Sequence, residues 1–401
     1  MPSTITVDLH SEMGSLNDTE VKYIKSPSKD IDTDTCLGQI SPFFNVKKTK
    51  YGGRGCFAIS AIPKGTVLLT CNKPISSTII KPFRKEACTR CFSYCDGRIL
   101  KTKIQKKFGK EIVSLYFCSE ECKEEFTNDD IDNLYADSLL EIERHYIAGL
   151  NKPEMELKEP SKTADLQSVI KQEWEEVALW EKKIRAMKPT KRASQIFRIS
   201  DSEYTEIKYV IGVLFHMYKC SKKQVSLPIK YINELDNNER NQLELQLFNI
   251  LQSSEPEKVQ KYPYLLYSYI NIYKFLVLTT LPPLQDLVSS DLVRATIGRN
   301  LSNAFGIWSE ASNPSEEKEF FGFGVYPSAS YFNHSCGPNM IKKRTKNVLT
   351  FTTLQDIKPD QELCIDYGNY INEKVEVRRR ELSEWFFDCG CDKCTVELQS
   401  Q

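Results

Sequence analysis

Asn333-His334-Ser335-Cys336, then Glu362-Leu363-Cys364-Ile365-Asp366-Tyr367-Gly368, then Cys389-Gly390-Cys391-Asp392-Lys393-Cys394 follow one another late in the sequence. The three cysteines of the last segment stand too close for disulfides among themselves, yet their spacing lets three thiolates converge on one tetrahedral zinc ion. That set lacks a fourth ligand. Cys336, in a short polar turn after the apolar stretch Phe323–Phe332, is the candidate donor, and a zinc ion so held pins the tail against the centre of the fold. Read alone, Cys336 is also a small buried residue and the tail cluster a trap for adventitious metal; close cysteine triplets favour structural zinc. Tyr367, bracketed by these cysteines, is the leading catalytic candidate.

Working outward, Cys88-x-x-Cys91 and Cys118-x-x-x-Cys122 make a second four-thiolate set, with Phe92, Tyr94, Phe117 and Phe126 to form the small apolar shell such a site needs. Cys95 has no evident partners. The competing reading, a redox C-x-x-C, lacks its usual βαβ setting.

The 401 residues suffice for two or three compact units, and 40% apolar with 27% charged residues is the balance of a globular protein. Lys+Arg and Asp+Glu both total 54, so no global field draws the chain to nucleic acid or a membrane surface. Residues 1–20 carry acidic groups and no signal-peptide core, so the fourteen cysteines are expected as reduced thiols, many on metal. The most apolar run, Tyr262–Leu284, is interrupted by Asn271 and Lys274 and reads as a buried helix. The basic runs 101–110 and 342–346 read as solvated loops or hairpin tips.

Strand and turn signals over 43–71 predict a small β unit, with Gly52-Gly53-Arg54-Gly55 and Pro63-Lys64-Gly65 as its turns. Helices are expected near 120–150, 164–187, 201–219, 235–251, 257–279 and 289–305, the last ending with Gly306 as its C′ residue. Strands resume over 324–327, 347–353 and 362–365, and a short helix over 372–385 leads to the cysteine tail. The β parts at both ends therefore look like one sheet-rich domain with a long insertion.

Taken in order, these motifs resemble those of a SET-domain protein lysine methyltransferase of the SMYD type with a MYND-like zinc insertion. Gly53-Arg54-Gly55-Cys56-Phe57-Ala58 resembles the family's first cofactor loop, and Asn303-Ala304-Phe305-Gly306-Ile307 its Asn-x-Phe-x-Ile motif. Val325-Tyr326-Pro327-Ser328-x-Ser330-x-x-Asn333-His334-Ser335-Cys336-x-Pro338-Asn339 is similar to the central signature, and Glu362-Leu363-x-Ile365-x-Tyr367-Gly368 to the motif with the active-site tyrosine. The resemblance implies S-adenosylmethionine bound by Gly53, Arg54, Gly55, Asn303, Asn333, His334, Tyr367 and Phe387. It also implies catalysis by Tyr367 and a substrate channel walled by Phe305 and Trp385. It implies two zinc ions, one on Cys88, Cys91, Cys118 and Cys122, the other on Cys336, Cys389, Cys391 and Cys394 in a post-SET clip.

The implied fold is α+β, a SET β-clip of short sheets interrupted by a zinc module and a helical insertion. Its expected divisions are a flexible tail (1–38), the N-terminal SET part (39–87), a MYND-like single-zinc module (88–122), the helical insertion (123–300), the C-terminal catalytic part (301–370) and the post-SET helix and clip (371–397). A full MYND module binds two zincs, whereas here its second ligand set is missing, with Cys95 a relic and His145 too far downstream. The family's longer members continue beyond the clip into helical repeats; this sequence stops at Gln401, and the middle insertion is expected to form the substrate-facing wall. The expected partner is a protein presenting a lysine to a monomeric enzyme in cytoplasm or nucleus, with neither nucleic acid nor membrane involved. The alternative is a SET-fold zinc protein of weak or absent turnover that serves as an interaction module.

Overall fold

The computed structural model describes residues 33–51, 53–153, 165–309, 318–368 and 370–400. Its strands are β1 (Phe44–Lys48), β2 (Arg54–Ala58), β3 (Val67–Cys71), β4 (Ser76–Ile79), β5 (Thr102–Phe108), β6 (Glu111–Phe117), β7 (Ala304–Trp308), β8 (Phe320–Val325), β9 (Asn333–His334), β10 (Met340–Thr345), β11 (Val348–Thr353) and β12 (Glu362–Ile365). Its helices are α1 (Thr33–Gly38), α2 (Glu120–Asp129), α3 (Leu134–Gly149), α4 (Leu166–Arg185), α5 (Pro189–Ala193), α6 (Asp201–Lys222), α7 (Asn237–Ile250), α8 (Glu255–Lys261), α9 (Tyr264–Thr279), α10 (Pro282–Gln285), α11 (Ser290–Asn303), α12 (Val375–Leu382) and α13 (Asp392–Gln399). The strands form three small sheets, β1-β2-β12-β9, β10-β11-β3 and β4-β8-β7, and a separate hairpin, β5-β6. Each of the three joins strands from both ends of the chain. The fold is thus α+β, one β domain closed by its two termini around a helical insertion.

Helix α6 is the hub of that insertion. A capping box at Ser200 and Glu203 starts it, satisfying backbone N–H groups that a helix N-terminus otherwise leaves open. It is buried on nearly every face, against β4, α3, α7, α9 and α11. Ser76 Oγ donates to the Tyr209 carbonyl at 2.6 Å, and Gly212 permits the approach, because a Cβ there would lie 2.2 Å from Ser76 Oγ. The insertion is therefore packed onto the β domain along its central helix.

Several boundaries differ from the sequence reading. The segment expected as one helix over 120–150 is two: the Asp130 carboxylate accepts from the N–H groups of Ile131, Tyr135 and Ala136, and Asp132 and Asn133 take positive φ. Local hydrogen bonding by Asp outcompeted the helix there. Pro263 divides the expected 257–279 helix into α8 and α9. Gly306 is not a C′ residue; the helix ends at Asn303, and Gly306 sits within β7 opposite Phe323. Basic run 101–110 is mostly strand β5, and 342–346 mostly strand β10, both in hairpins.

Residues 1–32 of the expected tail lie outside the described residues, but 33–38 form α1. Cys36 and Leu37 are buried there, and Cys36 Sγ donates to Gln246 Oε1 of α7 at 3.2 Å. Two apolar positions in a polar stretch were enough to anchor it. No described helix is long and apolar enough to cross a membrane, and α9, from the apolar run 262–284, is mostly buried.

Candidate active site

β12 is the spine of the site. It pairs antiparallel with β2 (Glu362 opposite Phe57, Leu363 opposite Cys56) and parallel with β9 (Cys364 opposite Asn333, Ile365 opposite His334). The parallel pair is only two residues long, and a side chain extends it. Asn339 donates from its amide to the Glu362 carbonyl and accepts from the Cys364 N–H, both at 2.8 Å. This explains why Asn is needed three residues after Cys336: it fills a missing rung of the sheet.

Asn333 joins the two chain ends. Its Nδ2 donates to the Arg54 carbonyl at 3.0 Å and to Glu362 Oε1 at 2.9 Å; the Tyr51 hydroxyl also donates to Glu362. Gly55 makes room, since a Cβ there would lie 2.5 Å from Glu362 Oε1 and 2.7 Å from Asn333 Nδ2. Gly53, with φ of +71° and open space beside it, turns the chain into β2.

His334 is buried, and its Nδ1 accepts from the Tyr367 N–H at 3.1 Å. Because an amide nitrogen can only donate, the neutral ring carries its proton on Nε2, which faces Cys336 Sγ at 3.3 Å. Burial lowers the imidazole pKa, with Asp366 opposing, so the ring stays neutral. His334 therefore links the candidate catalytic tyrosine to the cysteine cluster. The Tyr367 hydroxyl donates to the Phe332 carbonyl at 2.9 Å, and burial, reinforced by Cys364, Cys56 and Glu362, pushes its pKa well above the ordinary phenol value.

Around this pair the rings of Phe387 and Trp385 lie 5.9 and 6.4 Å from Tyr367, and Phe387 lies 6.2 Å from His334. Phe305, on β7, packs edge-on to Tyr326 and Phe351. Lys342 Nζ connects it to the tyrosine, lying 5.7 Å from the Phe305 ring and donating to the Tyr367 carbonyl at 3.3 Å. Gly53, Arg54, Gly55, Asn333, His334, Tyr367, Trp385, Phe387 and Phe305 thus form one contiguous group. Asn303 stands apart in its bonding, with its amide donating to the Arg299 carbonyl of its own helix at 2.8 Å.

Both cysteine sets converge. The sulfurs of Cys336, Cys389, Cys391 and Cys394 lie within 4.8 Å of one another, as do those of Cys88, Cys91, Cys118 and Cys122. Separations of 3.5 Å for Cys336–Cys394, 3.9 Å for Cys336–Cys389 and 3.5 Å for Cys91–Cys118 suit four thiolates about 2.3 Å from one zinc. Hydrogen bonds from Cys88 and Cys389 hold Cys91 and Cys391 toward the thiolate form, the form a metal binds. Cys95 belongs to neither set. His145 is buried in α3 beside Arg144 and Glu141, away from both.

The sequence reading missed Arg378, Glu362, Tyr51 and Lys342. The buried Arg378 donates to Cys394 Sγ at 3.4 Å, to Glu397 at 3.0 Å and to the Glu373 carbonyl at 2.6 Å, bracing the clip between α12 and α13. Lys342 was recoverable: in β10 it shares the inward face with buried Met340, while Ile341 and Lys343 point out. A separate cavity of about 550 Å³, lined by Lys73, Asp129, His216, Lys219, Arg240 and Glu244 among others, excludes Tyr367 and Phe305. Lys73 and Lys219 both pair with Asp129 there.

The SET domain family matches residues 53–368, most of the chain and every strand of this site from Gly53 to Gly368. The chain belongs to the SET-domain family. Along nearly its whole length it is similar to the "Potential protein lysine methyltransferase SET6" of Saccharomyces cerevisiae, 34% identical over 92% of this chain and 99% of that protein. It is also similar to the "Histone-lysine N-methyltransferase ASHR2" of Arabidopsis thaliana, 28% identical over 29% of this chain and 31% of that one. For the "N-lysine methyltransferase SMYD2-A" of Danio rerio the figures are 30%, 21% and 20%. The chain thus spans the SET6 relative fully and about a fifth to a third of the other two. The strands of this site come from two separated stretches of the sequence.

Proposed function

We propose that the protein is a SMYD-type protein-lysine N-methyltransferase, transferring a methyl group from S-adenosylmethionine to the lysine side chain of a protein substrate. The observation that carries this is the placement of Tyr367, whose backbone is held by His334 and whose hydroxyl is held by the Phe332 carbonyl, between the Gly53–Gly55 turn and the cysteine clip. The relation to the SET6 protein supports it.

The group fits the methyl donor in chemistry: aromatic faces at Phe387 and Tyr367 suit a purine, and neutral hydroxyl and carbonyl oxygens suit a sulfonium. When bound, S-adenosylmethionine supplies an electrophilic methyl group. Gly53, Arg54, Asn333, His334 and Phe387 would hold it, largely through the backbone for Asn333 and His334, whose side chains are engaged within the protein. A lysine near its ordinary pKa of ~10.4 has to lose a proton before it can attack. Burial beside Phe305, Tyr367 and Trp385 disfavours the charged amine, while the ring faces attract it on entry. Tyr367, neutral throughout, orients the amine through its hydroxyl; its role is position, not proton abstraction. Zinc on the two cysteine sets does no chemistry in this scheme. The clip holds Trp385 and Phe387 in place, and the Cys88–Cys122 module, with a single ligand set, stands apart from the reaction.

The test is incubation of the purified chain with methyl-labelled S-adenosylmethionine and a cell extract lacking the protein, followed by mass spectrometry of labelled lysines. Calorimetry of cofactor binding accompanies it. Cofactor binding with no labelled protein would replace the reading with that of a SET-fold interaction module.

A further inference from the structure

Lys342 has an unusual position for a lysine. It sits opposite Phe351 in the β10–β11 pair, on the strand face that turns inward with Met340. Its amine lies 5.7 Å from the Phe305 ring, within the range of a cation–π contact, and donates to the Tyr367 carbonyl at 3.3 Å. Among the described residues no carboxylate forms an ion pair with it. Burial lowers its pKa to about 8, with Asp366 pulling the other way, so the amine is still mostly charged at neutral pH. A half-buried ammonium without a paired carboxylate gives up hydration that one ring face and one carbonyl replace only in part. The two groups that hold it, Phe305 and Tyr367, are those read above as walls of the acceptor channel.

We infer that Lys342 fills the acceptor channel from inside, so that an incoming lysine side chain enters only by displacing its amine. The inference rests on the reading of Phe305 and Tyr367 as channel walls. Two ammonium groups a few ångströms apart in a poorly solvated cleft repel each other strongly, and they compete for the same aromatic face and carbonyl. Lys342 therefore sets a threshold: it excludes a lone amine and admits a lysine whose surrounding polypeptide makes enough contacts elsewhere to drive the exchange. It is a specificity-determining residue, and the acceptor it selects is a lysine within an extended protein surface.

The experiment compares the full chain with its Lys342→Met and Lys342→Arg variants, with thermal midpoints as a check on folding. n-Butylammonium, which reproduces the end of a lysine side chain, is titrated at pH 7 and followed by protein NMR. Lys342→Met is expected to bind it at least ten-fold more tightly than the parent chain, and Lys342→Arg no more tightly. Equal affinity of the parent and Lys342→Met overturns the inference, whether or not any methyl transfer is found. If Lys342→Met does not fold, Lys342→Gln, which keeps a donor toward the Tyr367 carbonyl, takes its place. In the labelling assay Lys342→Met should lower the KM for extract protein several-fold with cofactor affinity unchanged; an unchanged or higher KM would count against the inference. Absence of transfer by every variant would overturn the methyltransferase reading and leave the butylammonium titration to decide the role of Lys342.

Discussion

Tyr367 is fixed at both ends, by His334 at its backbone and by the Phe332 carbonyl at its hydroxyl, so a change at its oxygen can be read cleanly. Tyr367→Phe removes one positioned oxygen and leaves the ring packed on Phe387. Methyl transfer should fall by about 100-fold or more, roughly 3 kcal/mol of lost transition-state stabilisation, with cofactor affinity by calorimetry nearly unchanged. Turnover equal to the parent's would remove Tyr367 from the mechanism. Gly55 offers a different kind of test. In Gly55→Ala the new methyl would press on Glu362 and Asn333, which hold each other and the Arg54 carbonyl. We expect a loss of about 1–3 kcal/mol in urea unfolding, and an undisturbed midpoint would mean that this knot gives way easily.

At the level of elements, the two cysteine sets look alike and are placed differently. Cys336 lies two residues past the end of β9 and faces His334, and Tyr367, Trp385 and Phe387 pack against the cluster, so the clip is continuous with the site. The Cys88–Cys122 set lies beside the β5–β6 hairpin. Cys391→Ser should therefore lower bound zinc by one equivalent and weaken cofactor binding at least ten-fold, whereas Cys118→Ser should lower zinc equally and leave cofactor affinity intact. Elemental analysis with calorimetry on both variants decides this; equal damage from both would mean that the two modules are mechanically joined.

The same contrast shows what the sequence made legible. Both cysteine sets could be read from their spacing, because a thiolate tetrahedron leaves few geometric choices and the sulfurs of each set do converge, and strand Glu362–Ile365 could be read from alternation and branching. The 120–150 helix was misread because nothing in its periodicity reveals that the Asp130 carboxylate reaches forward to accept from three N–H groups. Lys342 was misread because a basic run normally marks solvent, and only its register with Met340 places it inside. Helix α13 and strand β4 are short, and tertiary contacts decide them more than local pattern does.

Across the whole molecule the join between insertion and β domain carries a buried acid. Glu244 of α7 accepts from the Ser328 N–H at 3.0 Å and hydroxyl at 2.6 Å, and burial raises its pKa to about 7. The unfolded value is about 4.3. Between the two the folded chain holds a proton that the unfolded chain has released, so this residue's contribution to stability falls as pH rises from about 4.3 to 7 and is level above that. Glu244→Gln should remove the slope: relative to the parent, the variant should gain roughly 3 kcal/mol between pH 4.5 and pH 7.5 in urea unfolding. The same offset at both pH values would show that Glu244 is ionised in the fold.

Asn333 and the Arg54 carbonyl that it holds are 279 residues apart in sequence. On a ribosome adding about 5–20 residues each second, β2 is made roughly 15–60 s before β12 exists to pair with it. During that interval the hairpin β1–β2 presents an unpaired edge with Cys56 and Ala58, both buried in the finished fold, open to any strand nearby. The helices of the insertion, built from short-range contacts, can form in the meantime. Newly made chains are therefore exposed to mispairing at the N-terminal strands, and slowing synthesis across the insertion should increase their demand for chaperones.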